Sequence, residues 1–234
     1  MAGRAESEVL FLHALPLDGA MWDGQRSILP GAATCAPTLY AFGDTVEEWA
    51  AEALKLVKGD RLIIVGCSVG GSCALELAAR APERVAALVL IGTKAEHRPD
   101  PGLQAAALET LRAGRMEKAW EDYWAPLFSP AADRRVVAAA KHLALRQSPQ
   151  DIARGVTAFH TRCSRHRLLA AFPRPIVVVA GADDSAPGVT ISARQADAAP
   201  RGSLHIVPEC GHYVPLERPG HLNAILRALI ATLG

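Results

Sequence analysis

The chain predicts an α/β fold: about six mainly parallel strands with helices on both faces, interrupted by one helical insertion. Three observations carry this. Apolar runs of strand length alternate with helical patterns. The runs "RLIIVGC" (61–67), "VAALVLIG" (85–92) and "PIVVVAG" (175–181) are apolar throughout, not at every second position, so those strands are buried on both faces, as in a covered parallel sheet. A long stretch, roughly 94–172, has no strand-like run and reads as several short helices.

In chain order, "EVLFLH" (8–13) is the first strand. "ATCAPTLY" (33–40) is a weaker one, because Pro37 removes a ladder donor. "TVEEWAAEALKLVK" (45–58) is an amphipathic helix with Thr45 and Glu48 spaced as a capping box. The strand 61–67 leads at once into a helix that Pro82 stops, and 85–92 is the next buried strand. After the insertion come the strand 175–181, a helix near 189–198, the strand "SLHIVP" (203–208) and a final helix over about 215–232. The expected division is a core of 1–93 and 173–234 with a helical cap over 94–172.

At 234 residues the chain is long enough to bury a large core. A formal net charge of +1 gives no reason to expect nucleic-acid binding. The start "MAGRAESEV" lacks an apolar signal core, and no run approaches a membrane span. Five scattered cysteines without a CxxC pair read as free thiols. The expectation is a cytoplasmic protein with no membrane partner. The cysteines and histidines show no metal-ligand spacing, and no cofactor is implied. Oligomeric state is not legible.

The chemistry concentrates in "IVGCSVGG" (64–71). A strand that turns sharply into a helix strains its corner residue and demands small neighbours two positions away. Gly66 and Gly70 meet that demand and leave Ser68 held out at the carboxyl end of the sheet, beside a helix N-terminus: the nucleophile elbow G-x-S-x-G. The amide of Val69 can then donate to an oxyanion. The competing interpretation is a glycine-rich turn that merely packs tightly. A serine hydroxyl needs a base. Of eight histidines, His212 in "PECGHYVPLERP" follows the last strand, on the same sheet edge as Ser68. His97, His142, His160 and His166 fall in the insertion, His205 in a strand and His221 in the last helix; these read as structural or solvated. The base needs an orienting carboxylate. "AGADDSAP" puts both Asp183 and Asp184 on that edge, and one of them is expected only to cap a turn.

With the order Ser68, Asp183 or Asp184, His212, the sequence resembles the α/β-hydrolase superfamily over nearly its whole length. "FLHALPLDGAMW" is similar to that family's oxyanion segment, "GCSVGG" to its elbow, "GADD" to its Gly-x-x-Asp and "CGHYVPLERP" to its Gly-His-x-x-x-x-Glu-x-Pro ending. The resemblance implies the α/β-hydrolase fold with strand order 4-3-5-6-7-8, the first two strands of larger members being absent. It favours Asp184 over Asp183 and makes the N–H of Leu15 the second oxyanion donor. Ala14 stands where the family has glycine, which requires a negative φ there. His13 is expected to be structural.

Within the insertion, 116, 120, 123, 124 and 127 would share one helical face. Trp120, Trp124 and Phe128 either pack on the core or line an apolar substrate pocket. The insertion carries 13 Lys/Arg against 8 Asp/Glu, a net of +5, which favours an anionic substrate, with Arg162 as a candidate for its carboxylate. The expected function is a serine hydrolase acting on a small carboxylic ester or lactone. The same scaffold supports carbon–carbon bond hydrolases, enol-lactonases, lyase-type synthases and cofactor-free peroxidases, and also ligand receptors that keep the three residues.

Overall fold

The computed structural model describes residues 7–27, 29 and 32–233; most of the stretch examined for a targeting signal lies outside them. Six strands form one sheet: β1 (Glu8–Leu12), β2 (Thr34–Cys35), β3 (Leu62–Cys67), β4 (Val85–Ile91), β5 (Ile176–Gly181) and β6 (Gly202–Val207), in the order β2-β1-β3-β4-β5-β6. Every pairing is parallel. This is the order the resemblance implied. Every residue of β3, β4 and β5 is buried, so helices cover both faces, and the continuous apolar runs follow from that. β6 is an edge strand and is largely exposed.

The helices of the core are α1 (Asp23–Arg26), α2 (Val46–Leu56) and α3 (Val69–Arg80). α2 opens with the expected capping box between Thr45 and Glu48. Between β4 and β5 lie α4 (Pro101–Arg112), α5 (Met116–Ala119), α6 (Arg134–Leu145), α7 (Pro149–Thr161) and α8 (His166–Ala171), with no strand among them. After β5 come α9 (Gly188–Ala198), α10 (Val214–Glu217) and α11 (Pro219–Leu233).

Three expectations are corrected. The second strand pairs only at Thr34 and Cys35; the chain then passes Pro37 and tightens into a 3₁₀ turn at Leu39–Phe42. The final helix is two helices, parted at Arg218 because Pro219 cannot continue α10. The face expected over 116–127 is not that of a regular helix, since Trp120–Trp124 widens into a π turn and Ala125–Leu127 narrows to 3₁₀.

Candidate active site

The elbow between β3 and α3 supplies Ser68. Its backbone has φ 55 and ψ −119, a strained conformation for a residue with a Cβ. A side chain at Gly66 would strike the Gly70 carbonyl, and one at Gly70 would strike the Leu12 carbonyl. The turn therefore needs both glycines. The Ser68 amide bonds to the Ile91 carbonyl at 2.8 Å, which fixes the corner to β4. Ser68 keeps partial exposure while its neighbours Cys67 and Val69 are buried. Burial drives the Cys67 thiol well above its ordinary range, so it offers no competing thiolate.

The loop between β6 and α10 supplies His212, which is 3% exposed. Its Nδ1 lies 3.1 Å from Oδ1 and 3.0 Å from Oδ2 of Asp184. In the neutral ring Nδ1 must then carry the proton and donate to the carboxylate, leaving Nε2 as the basic atom. Asp184 is also buried, and its Oδ1 accepts the Ala186 amide at 2.8 Å. Asp183 goes elsewhere: its Oδ2 accepts the Ser129 hydroxyl at 2.6 Å. Gly92, at φ +54, follows β4 and lies close to this pair. A Cβ there would come within 2.8 Å of His212 Nδ1 and 3.1 Å of Asp184 Oδ2.

The loop that carries His212 is held by a group the motif reading did not use. Glu217 is buried, and its carboxylate accepts the amides of Ser129 at 2.9 Å, Gly211 at 3.0 Å and Tyr213 at 3.1 Å. The His212 amide itself donates to the Leu127 carbonyl at 2.8 Å. The fully buried Tyr213 hydroxyl donates to the Leu15 carbonyl at 3.0 Å, tying the first loop to the last. The spacing of Glu217 from His212 in "GHYVPLERP" was the available signal for this.

Ser68, His212 and Leu15 share one cavity of about 370 Å³. Among the described residues, neither the Leu15 nor the Val69 amide has an acceptor in the protein. Among the described residues, Ser68 and Glu209 are the non-glycine positions with positive φ, so Ala14 satisfies the condition that its substitution for glycine imposed. His13 is wholly buried beside it. Its Nε2 accepts the Leu39 amide at 2.8 Å and its Nδ1 faces the Ala14 carbonyl. Burial lowers its pKa to about 4, and it stays a neutral strut of the loop.

Of the residues considered for substrate contact, Trp124 lines this cavity, together with Tyr123, Leu127 and Val156. Trp120 and Phe128 do not. Their rings lie 5.9 Å apart, and Phe128 sits 4.6 Å from the Tyr213 ring, so they pack the insertion onto the core. Arg162 lines a neighbouring cavity rather than this one. Lys94, which no motif singled out, lines both. Among the described residues no three metal-ligating side chains converge, and no helix is long and apolar enough to cross a membrane.

A strained serine on a strand–helix corner, with a histidine oriented by a buried carboxylate over the same cavity, can perform nucleophilic acyl transfer. The model of the alpha/beta hydrolase family matches residues 9–223. The chain belongs to that family. Among curated relatives, a pimeloyl-[acyl-carrier protein] methyl ester esterase of Aromatoleum aromaticum is 38% identical over 93 residues, 37% of each chain. That match thus spans little more than a third of the esterase's length. A 2-hydroxymuconate semialdehyde hydrolase of a Pseudomonas species is 24% identical across 95% of this chain and 86% of its own. Among solved structures, an esterase from Thermogutta terrifontis superposes with TM-score 0.87 at 23% identity, covering 99% of this chain and 91% of that one. An enol-lactonase from Burkholderia xenovorans gives TM-score 0.85 at 19% identity, covering 98% and 92%. At these identities the structural likeness is one of fold.

Proposed function

We propose that this hydrolase cleaves a small carboxylic ester or lactone through an acyl-enzyme on Ser68. The observation that carries the reading is the pairing of Ser68 with an Asp184-oriented His212 in one cavity. Ser68 Oγ attacks the carbonyl carbon while His212 Nε2 takes its proton. Asp184 keeps the Nδ1 proton in place and stabilises the imidazolium without taking that proton. The amides of Val69 and Leu15 hold the oxyanion. The C–O bond to the alcohol then breaks, and the leaving oxygen takes the proton from His212. Water, deprotonated by the same ring, attacks the acyl carbon and releases the acid and Ser68.

The helical stretch 94–172 acts in this reading as a cap whose Tyr123, Trp124 and Leu127 face the reacting group. A cytoplasmic location belongs to the same reading, on the five free cysteines. The test is labelling with a fluorophosphonate, with the adduct mapped by mass spectrometry. The expected result is one adduct, on Ser68, formed at least about a thousandfold more slowly in His212→Ala. No adduct on Ser68, or equal labelling of the variant, overturns the reading.

A second reading keeps the residues and changes the bond. The curated relatives that match 95% and 77% of this chain are hydrolases named for 2-hydroxymuconate semialdehyde, a substrate whose name contains no ester. Turnover of that semialdehyde with kcat/KM above that of every ester and lactone tried would favour it.

A further inference from the structure

Beside the Ser68 cavity lies a second one of about 580 Å³. Lys94, Leu103, Phe159 and His160 line both, so the two spaces adjoin across those side chains. The second is basic. Arg98, Arg162 and Arg194 border it along with Lys94, against two acids, Glu96 and Asp100. Both acids are already engaged. Glu96 pairs with Arg98 at 3.4 Å, and Asp100 accepts the Leu103 amide at 2.9 Å to cap α4. Among the described residues, neither Lys94 nor Arg162 meets a carboxylate.

Arg162 is the unusual member. It is 5% exposed. One guanidinium nitrogen donates to the Phe159 carbonyl, and its Cζ stands 3.9 Å over the Phe159 ring. Its other donors meet no protein acceptor among the described residues. A guanidinium taken out of water without an anion is costly, and its pKa is pulled down to about 10 by that burial, which still leaves it charged at neutral pH. The backbone that carries Lys94 is fixed beside this cavity. Gln195 accepts the Ala95 amide at 2.6 Å and donates to the Thr93 carbonyl at 2.8 Å, pinning the segment 93–95 to α9. Two cations, one of them buried, therefore border the second cavity beside the Ser68 cavity without a carboxylate in contact with either; Asp122, the acid of the Ser68 cavity wall, pairs instead with Lys118 at 2.9 Å.

We infer that Lys94 and Arg162 form a carboxylate-binding subsite, and that the substrate is an ester or lactone that also carries a free carboxylate. The inference rests on the reading of Ser68 as nucleophile and deepens it. The carbonyl sits at Ser68, and the distal carboxylate reaches past Phe159 to the guanidinium fork, which suits two-point recognition of a carboxylate. Lys94, on the wall shared by the two cavities, supplies the second cation for that carboxylate.

The experiment compares p-nitrophenyl hemisuccinate and hemiglutarate with p-nitrophenyl butyrate and valerate. The charged-to-neutral ratio of kcat/KM is read for wild type, Lys94→Met and Arg162→Met. The ratio is expected to exceed about tenfold in wild type and to fall by about tenfold to a hundredfold in the variants, the worth of a charge-assisted hydrogen bond. A ratio near unity in wild type, or unchanged in both variants, overturns the subsite. Should Arg162→Met fail to fold, Lys94→Met, an exposed position, decides alone. In parallel, glutarate is titrated calorimetrically into Ser68→Ala and into Ser68→Ala with Lys94→Met. Saturable binding that the second change weakens by at least about tenfold supports the subsite even if no ester is hydrolysed, an outcome that would sink only the nucleophile. Where no ester is hydrolysed, no saturable binding to Ser68→Ala, or binding that Lys94→Met leaves unchanged, sinks the subsite.

Discussion

The insertion meets the carboxyl edge of the sheet at two places built on opposite electrostatics. At Leu127–Ser129 the polar groups are matched one to one. The Leu127 carbonyl takes the His212 amide, the Ser129 amide goes to Glu217 and the Ser129 hydroxyl to Asp183. Phe128 closes the contact against Tyr213. At the other place, Lys94 and Arg162 border a cavity, and neither is in contact with a carboxylate. A saturated buried network specifies one arrangement of the chain. Buried charge left unsaturated beside open space marks where something outside the chain completes it. In the proposed reading, one side of the pocket positions the base and the other side reads the substrate.

The comparison yields tests of graded size. The largest separates two adjacent carboxylates, one on His212 and one in the saturated contact. Asp184→Asn should lower kcat by about 10³- to 10⁴-fold, as expected when the imidazole loses its orienting anion, whereas Asp183→Asn should cost less than about tenfold. Equal losses in steady-state assays would erase the distinction. Next in size is stability, measured by urea denaturation. Glu217→Ala strands three buried amides and should lower the unfolding free energy by about 3–5 kcal/mol. Arg162→Met removes a buried cation that has no anion and should be neutral or slightly stabilising. A comparable loss in both would mean that the basic side is structural as well.

The smallest effect is a titration. Burial, then the charge of Arg162, lowers the pKa of His160, with Asp100 acting the other way. Removing the guanidinium should raise the pKa values of His160 and His97, read from their ring protons by NMR; His97 is also lowered by burial and by Arg162. The sign carries to stability. A histidine whose folded pKa is lowered opposes folding as pH falls through its unfolded value, near 6.5. Arg162→Met should relieve part of that, so its stability relative to wild type should improve from pH 7 to pH 5. An unchanged pair of titrations would place the guanidinium charge away from them.

Much of the core was legible because parallel strands buried on both faces must be written as unbroken apolar runs. The elbow was legible because its corner admits no Cβ at 66 or 70. The misplacements have local causes. Trp120 and Phe128 belong to packing while Trp124 lines the cavity, because the π turn at Trp120–Trp124 slips the phase that a regular helix would keep. Arg162 was chosen for its charge, and its position beside the pocket rather than in it depends on how α7 ends. Lys94 carries no pattern at all, for a lysine after a strand is ordinary.

By itself, then, the sequence determined which segments are buried strands, where the chain turns sharply enough to hold out Ser68, and that His212 and an aspartate share its edge. These are properties of single segments, set by hydrophobic pattern and by backbone sterics over a few residues. Only the tertiary structure decided which of Asp183 and Asp184 touches His212, that Glu217 ties the His212 loop to the insertion, and that two cations more than sixty residues apart in the chain border one cavity without a carboxylate in contact with either. Those facts depend on contacts between distant segments. Such contacts are chosen by the packing of the whole core, and no local pattern records them.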